Sequence, residues 1–320
     1  MGKKKVVGLS FGRAMSNTEI LIKEALIECE AQGYDIEFLN CEKMDIKPCR
    51  GCCQCVVHLM MGTQDGECFQ KDDFHIILEA IYSADAVIMG APVYVLAPSG
   101  KFKDFCDRIG PGHDITFVMP AIEKGQKEQR DPSTYPDVRA LKKRVGALVS
   151  VGGAKTENWT SLGIPNLFEG TLSMGIDVID KINYYGAMDY DSVIGRPDMI
   201  ARAKKMGENI CEALRAQTEE ERIQYRGDDE GCCPVCHERM LTITGKGKKV
   251  ECPICGIEGE LDIVDGELKA SFSPEQILRS RLKEAGKWEH SNEIRNGAMT
   301  QIRVENLKEK KERYINVGKK

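Results

Sequence analysis

A chain of 320 residues with 42% hydrophobic and 30% charged residues carries 45 Lys and Arg against 50 Asp and Glu, a formal net charge of −5. That balance excludes wholesale disorder and a strongly basic nucleic-acid binder, and no apolar run approaches the roughly 18 residues a membrane span needs. Met1-Gly2-Lys3-Lys4-Lys5 runs directly into a strand-like Val6-Val7-Gly8-Leu9 without a signal-peptide core, so the expected location is the cytoplasm.

In chain order, residues 1–217 alternate strand and helix, the pattern of a parallel sheet covered on both faces. Val6–Ser10 reads as the first strand, and Thr18–Gln32 as a helix with Ile22, Ala25, Leu26 and Cys29 on one face, stopped by Gly33. Tyr34–Leu39 is the second strand. Asp72 and Asp73 open a helix through Ile76, Ile77, Ala80 and Ile81, followed by the strand Ala86–Met89. Ser99–Ile109 is a third helix. Residues 110–143 carry Pro111, Gly112, Pro120, Gly125, Pro132 and Pro136 with little periodicity and read as a long surface excursion, a lid or an oligomer contact. Val145–Val151 is the fourth strand, Asn158–Met174 a helix disturbed by Gly163 and Pro165, Val178–Tyr184 the fifth strand and Pro197–Gln217 a long closing helix. The expectation is an α/β fold, a flavodoxin-like doubly wound five-stranded parallel sheet, with its ligand crevice at the carboxyl ends of the strands.

Beyond a charged connector, residues 231–266 are rich in glycine and cysteine, and 274–320 form a helical extension of two stretches that opens on Ser273-Pro274. From Pro274 onward there are 12 Lys or Arg against 7 Glu, a net of +5. Interleaved glutamates make this a solvated face more than a nucleic-acid site, and packing across a homo-oligomer is the expected role.

Three features carry chemistry. The loop Ser10-Phe11-Gly12-Arg13-Ala14-Met15-Ser16-Asn17-Thr18 offers hydroxyls, backbone amides and a helix's positive end to a phosphate. It lacks the lysine of a P-loop and the spaced glycines of a dinucleotide fingerprint, so a mononucleotide fits better; the plainer alternative is a helix cap. Of 14 cysteines, ten fall in two bunches of five. In the first, Cys49, Cys52 and Cys55 stand at Cys-x2-Cys spacing with Cys68 thirteen positions further on, as in 4Fe-4S binding; zinc or unliganded redox thiols are the alternatives, and Cys53 is an alternative ligand. In the second, Cys233-x2-Cys236 and Cys252-x2-Cys255 are separated by fifteen residues, the arrangement of a zinc ribbon with four cysteine ligands. Cys252-Pro-Ile-Cys255-Gly256 also looks like a rubredoxin knuckle, which would hold a single iron; His237 takes the glycine's place in the first knuckle.

The ordered set Ser10-x2-Arg13-x2-Ser16-Asn17-Thr18, Pro48-Cys49-Arg50-Gly51-Cys52-Cys53-Gln54-Cys55, Lys71-Asp72-Asp73, Ala91-Pro92-Val93-Tyr94, Lys101 through Asp107-Arg108 and Ser150-Val151-Gly152-Gly153 resembles the NADPH-dependent FMN reductase superfamily, in its iron-sulfur flavoprotein branch. The resemblance covers residues 4 to about 215. It implies bound FMN, a dimer or tetramer, Ser10, Arg13, Ser16, Asn17 and Thr18 around the FMN phosphate, and Pro92, Val93, Tyr94 and Ser99 along the ribityl chain and ring. Gly152, Gly153 and Ala154 would approach the ring edge, and the fourth cluster ligand would lie where Cys68 does, within the cysteine loop 48–70, although that loop is longer than the family's.

The leading expectation is an FMN-dependent oxidoreductase coupling a 4Fe-4S cluster to FMN, with ferredoxin or NAD(P)H as donor and a small-molecule acceptor. The alternatives are an NAD(P)H-dependent flavin or quinone reductase without a cluster, and a redox- or metal-sensing interaction protein.

Overall fold

In a computed structural model of the chain the described residues are 2–63, 65–228, 231–245 and 247–318. Met1, Lys319 and Lys320, at the ends of the expected spans, lie outside them.

Strands β1 (Lys5–Ser10), β2 (Asp35–Asn40), β3 (Ala86–Tyr94), β5 (Arg144–Val151) and β6 (Ile176–Tyr184) form a parallel sheet in the order β2-β1-β3-β5-β6. The sheet has six strands rather than the expected five, because a two-residue β4 (Ala97–Pro98) folds back antiparallel on the end of β3. Two consecutive residues in left-handed conformation, Val95 and Leu96, make that reversal. A two-residue strand leaves no periodic trace in a sequence.

The central strands are apolar on both faces because helices cover both. On one side α1 (Asn17–Ala31) and α8 (Pro197–Arg215) bury Leu21, Ile22, Ala25, Met206 and Ile210 against Val6, Ile88 and Val149. Each such side chain is worth about 1.5–3 kcal/mol in area removed from water. Gly8 is required here, since a Cβ would stand 2.7 Å from Ile22 Cγ2. On the other side α3 (Phe74–Ser83), α4 (Gly100–Arg108), α6 (Gly163–Leu167) and α7 (Glu169–Leu172) pack on Val7, Leu9, Met89 and Leu148. The expected single helix over 158–174 is therefore two short ones. Arg144 is fully buried without a carboxylate: it donates to the carbonyls of Ile81 (2.8 Å), Tyr82 (3.1 Å), Arg139 (2.9 Å) and Lys142 (2.6 Å), satisfying the end of α3, and burial lowers its pKa to about 10.

Two helices stand where only loop was expected. In the cysteine loop, α2 (Gln54–Met61) buries Leu59. In the excursion after α4, α5 (Ile115–Lys127) runs through Pro120 with Asp114 as its cap, the Asp114 carboxylate accepting from Thr116 N at 2.9 Å. A proline within a helix strips the carbonyl four residues back of its partner. That carbonyl, Thr116 O, accepts a bond of 2.5 Å from Arg295, on a helix almost 180 residues later in the chain.

After the short α9 (Glu219–Ile223) comes a four-stranded antiparallel ribbon, β7 (Thr242–Ile243), β8 (Lys249–Glu251), β9 (Glu258–Val264) and β10 (Glu267–Ser271), in the order β10-β9-β8-β7. The C-terminal extension holds three helices rather than two, α10 (Pro274–Leu278), α11 (Glu284–Thr300) and α12 (Leu307–Ile315). No helix among the described residues is long and apolar enough to cross a membrane.

Candidate functional site: a strand-end crevice and two cysteine centres

The loops after β1, β3, β5 and β6 meet at the carboxyl edge of the sheet. In the first, Phe11 N donates to Gly90 O at 2.8 Å and Gly12 N to Ser10 Oγ at 3.3 Å, so the chain hugs the sheet before turning through Met15 at φ 55°. Ser16 takes the N-cap position of α1, yet its hydroxyl makes no cap bond; its Oγ is buried and has no hydrogen-bond partner. Asn17 is otherwise occupied, its side-chain oxygen accepting from Val193 N at 2.8 Å and tying this loop to the one after β6. Thr18 is buried and Arg13 is exposed. Glu19, next to them, is buried; burial works against its charge, but bonds from Lys23, Asn40 and the Met15 backbone hold its carboxyl below the usual range.

At the end of β3, Pro92 and Val93 are half-buried and Tyr94 is exposed. Ser99 N returns to Pro92 O at 3.0 Å while Ser99 Oγ donates to Phe11 O at 3.2 Å, closing the β3 loop against the β1 loop. At the end of β5, Ser150 is fully buried and its Oγ also has no partner. Gly152 N donates to Tyr184 O at 2.8 Å, and Gly186 N to Ala154 O at 2.6 Å. Gly152 is demanded by the protein itself, since a Cβ there would stand 2.2 Å from the buried Thr160, whereas one on Gly153 would meet the exposed Met188 side chain at 2.7 Å.

A hydroxyl buried without a partner is costly, so two of them at one sheet edge mark places where a bound group completes the bonding. Ser16 Oγ stands at the N-terminus of a 15-residue helix, the position that favours a phosphate. The rim is apolar and exposed, with Met15, Tyr94, Val95, Trp159, Met188 and Ile194 each more than half exposed. That suits a flat aromatic ring and a second apolar molecule upon it. Sequence reasoning missed Ser150 as a site residue, although a hydroxyl inside an otherwise apolar strand was a usable signal. Trp159 and Met188 gave a weaker one, as large apolar residues within polar loops. Beside the rim a cavity of about 790 Å³ opens between residues 157–165, the end of β6 and the ribbon, lined among others by Asn158, Ser161, Asn183 and Tyr185.

The first cysteine group lies on the loop between β2 and α3. Gly51 at φ 62° turns the chain so that its N–H points to Cys49 Sγ at 3.4 Å, and Cys53, at φ 56°, starts α2. Cys49 and Cys52 are exposed, Cys55 and Cys68 half-buried. The Cys55 thiol is pushed up by burial and then by the charges of Cys68, Cys49 and Cys52, so these four sulfurs share one neighbourhood. Cys53 is exposed, with its Sγ 3.7 Å from Gly51 O. These four thiols are spread over a loop that is open on one side, and among the described residues they are not drawn within 4.8 Å of one another as the ribbon's four are. Asp72 and Asp73 anchor the loop, accepting from Lys47 N and Asp45 N at 2.9 Å each.

The second group is closed. The sulfurs of Cys233, Cys236, Cys252 and Cys255 all lie within 4.8 Å of one another and all four residues are buried, a tetrahedral donor set for one metal ion. Both knuckles turn through the left-handed region, Gly256 at φ 68° and His237 at φ 56°, so His237 does the glycine's conformational work. Its ring stacks on Tyr225 at 4.0 Å, and its carbonyl accepts from Lys181 Nζ at 2.5 Å. The four cysteines belong to the same hydrophobic cluster as Leu148 and Phe102 of the main body.

Residues 5–161 match the family model described as NADPH-dependent FMN reductase. The chain carries an NADPH-dependent FMN reductase domain. The fold, the strand-end crevice and this match are those of an FMN-dependent oxidoreductase. The reductase domain is also similar to an iron-sulfur flavoprotein of Methanocaldococcus jannaschii, at 34% identity over 108 residues, 33% of this chain and 52% of that one. The alignment with this flavoprotein spans about half its length. Likeness extends over nearly the whole chain for a flavone synthase of Aspergillus candidus, 29% identical over 301 residues, covering 92% of this chain and 89% of that one. A solved flavone reductase superposes with a TM-score of 0.79 at 25% identity, covering 97% of this chain and 96% of that chain. That superposition thus spans the reductase domain, the ribbon and the C-terminal helices of this chain.

Proposed function

We propose that the protein reduces or oxidises a planar aromatic ketone of the flavone type on FMN, with NAD(P)H or ferredoxin as the electron source and a 4Fe-4S cluster on Cys49, Cys52, Cys55 and Cys68 as the one-electron relay. The observation that carries this reading is the crevice itself, two buried hydroxyls lacking partners beneath an exposed aromatic and thioether rim. The whole-length likeness to a flavone synthase and a flavone reductase supports the substrate class.

Bound FMN supplies hydride transfer to or from carbon, and the cluster supplies single electrons. The rest falls to this chain. Ser16, the amide end of α1, Thr18 and Arg13 would hold the phosphate, with Ser10 shaping the loop. Pro92, Val93, Tyr94 and Ser99 would flank the ribityl chain and ring. Gly152, Gly153 and Ala154 would approach the ring's polar edge, the Gly152 N–H itself being held by Tyr184 O. Trp159, Met188 and Tyr94 would exclude water and clamp a flat substrate, and the cavity beside them has room for its outer ring. A second copy of the chain covering the apolar rim would complete the enclosure, as a homodimer or tetramer. In the ribbon, Cys233, Cys236, Cys252 and Cys255 would hold zinc as a structural ion. Fourteen free thiols suit a cytoplasmic, reducing setting.

Anaerobically purified protein is expected to contain one FMN per chain, iron with sulfide, and one zinc. NAD(P)H should bleach the flavin and a flavone should restore its absorbance. Protein that folds but takes up no FMN would sink the proposal; flavin and zinc without iron would leave a reductase lacking the relay.

A further inference from the structure

Between α5, the second knuckle of the ribbon and α11 lies a cavity of about 630 Å³, a volume in the range of small-molecule sites. Leu172 and Ser173, just before β6, line it, so it stands toward the amino edge of the sheet and not at the carboxyl edge that carries the crevice. Its apolar lining comes from Phe117 of α5, Leu172, and Ile294 of α11.

Lys287 lines the same cavity from near the start of α11, with a side chain only 10% exposed. Among the described residues its amine donates no hydrogen bond, and the one carboxylate within reach is Asp114, at 4.0 Å. Asp114 is already engaged, its Oδ1 accepting from Thr116 N at 2.9 Å and from Thr116 Oγ1 at 2.7 Å. Burial lowers the pKa of Lys287 although the charges of Asp114, Asp177 and Glu284 act the other way. Across the cavity Arg281 donates its backbone N–H to Cys255 O at 2.9 Å and lays its guanidinium over Gly256, where a Cβ would come 2.5 Å from Nη2. That guanidinium has no hydrogen bond or ion pair among the described residues. The carboxylates at the mouth, Glu289 and Glu293, are more than half exposed and already bonded, to Arg279 at 2.9 Å and His290 at 3.1 Å.

An ammonium taken out of water without a hydrogen-bonded counter-charge is costly, and no contact within the chain repays it here. Two cations against the single buried carboxylate of Asp114 leave one positive charge unmatched. That balance suits a monoanion better than a doubly charged phosphate. We propose that this cavity binds an organic monocarboxylate, its carboxylate set between Lys287 and Arg281 and its apolar body against Phe117, Leu172 and Ile294. Binding makes and breaks no covalent bond. The ligand touches α5, the second knuckle and α11 at once, and so fastens the C-terminal extension to the main body.

The test is isothermal titration calorimetry of the full chain with 2-naphthoate, its neutral counterpart 2-naphthamide and inorganic phosphate, with hydrogen exchange locating the site. 2-Naphthoate should bind about tenfold more tightly than either of the others and slow exchange in α11 and around Gly256. Lys287→Met, which keeps the packed stem and removes the charge, should weaken that binding about tenfold. Arg281→Gln should weaken it less, because that side chain is the more exposed. Asp114→Asn, which keeps a cap for α5 and removes the competing charge, should tighten it. Equal affinity for 2-naphthamide or phosphate, protection confined to the strand-end loops, indifference to Lys287→Met, or neither heat nor protection at millimolar 2-naphthoate overturns the inference. Should Lys287→Met fail to fold, Asp114→Asn decides alone: tighter binding supports the proposal, and unchanged or weaker binding overturns it.

Discussion

Each of the two cysteine regions contributes four sulfurs, but they stand in opposite relations to the fold. The ribbon's four are buried within 4.8 Å of one another and share a hydrophobic cluster with the main sheet. Those of the first loop are exposed or half-buried, on a segment held to the body by aspartates and by Arg108 and Arg130. A centre that must exchange electrons needs an approachable face, and one that only holds chains together gains from having none. The difference teaches that Cys-x2-Cys spacing alone does not tell a working centre from a clamp, whereas burial and continuity with the core do.

Losing a ribbon ligand should have the largest effect. Cys252→Ala removes a quarter of the donor set, and because that cluster is continuous with the core of the main body, the loss should reach beyond the ribbon. Destabilisation on the order of 5 kcal/mol is expected, part of the binding energy a structural ion lends to folding. Chemical unfolding with and without chelator measures it. Unchanged stability, or loss confined to the ribbon's own amides in hydrogen exchange, would break the contrast between clamp and relay.

The loop end of the comparison is sharpened by pH. His113 is fully buried in the turn before α5, paired with Tyr82 Oη at 2.9 Å, and burial followed by the charge of Arg108 lowers its pKa to about 4. The neutral form is the one the fold favours, so its contribution is complete above the unfolded value near 6.5 and is lost as pH falls from there toward 4. Across that window the shift is worth about 3 kcal/mol. The turn packs on the cysteine loop, with a Cβ on Gly112 standing 2.9 Å from Gly66 O and 3.6 Å from Cys55 Cβ. Acid should therefore open residues around Cys55 and Cys68 before the ribbon, and His113→Gln should flatten the dependence between those pH values.

How much of this was legible follows the same division. The parallel strands were readable because strands buried on both faces are continuous apolar runs, Val6–Ser10 and Val145–Val151 among them. The strand-end loops and the ribbon's four gathered cysteines, Cys233, Cys236, Cys252 and Cys255, followed from spacing and order. The helix α5 was not readable, since Pro120 and Gly125 look like loop residues; what allows the helix is Phe117, Val118 and Ala121 turned inward and a distant arginine on the freed carbonyl. Nor could Arg108 and Ser150 be recognised from neighbours in sequence. Their meaning lies in what surrounds them, Asp72 and Phe74 for the one and Gly163 for the other.

That distant arginine gives a smaller and more local expectation. Arg295→Ala removes the bond to Thr116 O and the cation lying 5.0 Å over the Phe117 ring. A loss of about 1–2 kcal/mol is expected. Pro120→Ala should recover much of it by restoring the helix's own donor to that carbonyl, and a double-mutant cycle showing no coupling between the two positions would refute the linkage.

Least should happen to stability at Cys49. Its side chain is exposed, and its sulfur accepts from Gly51 N at 3.4 Å. Cys49→Ala should change unfolding free energy by less than about 0.5 kcal/mol, while iron and sulfide vanish. FMN should stay, because Ser16 caps α1 and Ser150 lies at the end of β5, both far in sequence from the cysteine loop. Two cofactors lost at once would mean that the cysteine loop shapes the flavin crevice, and the separation between an approachable relay and its neighbouring catalytic pocket would fail. If only the iron goes, turnover with NAD(P)H then separates the donors: a flavin reduced directly by the nicotinamide should keep its rate, and one fed by single electrons through the loop should lose it.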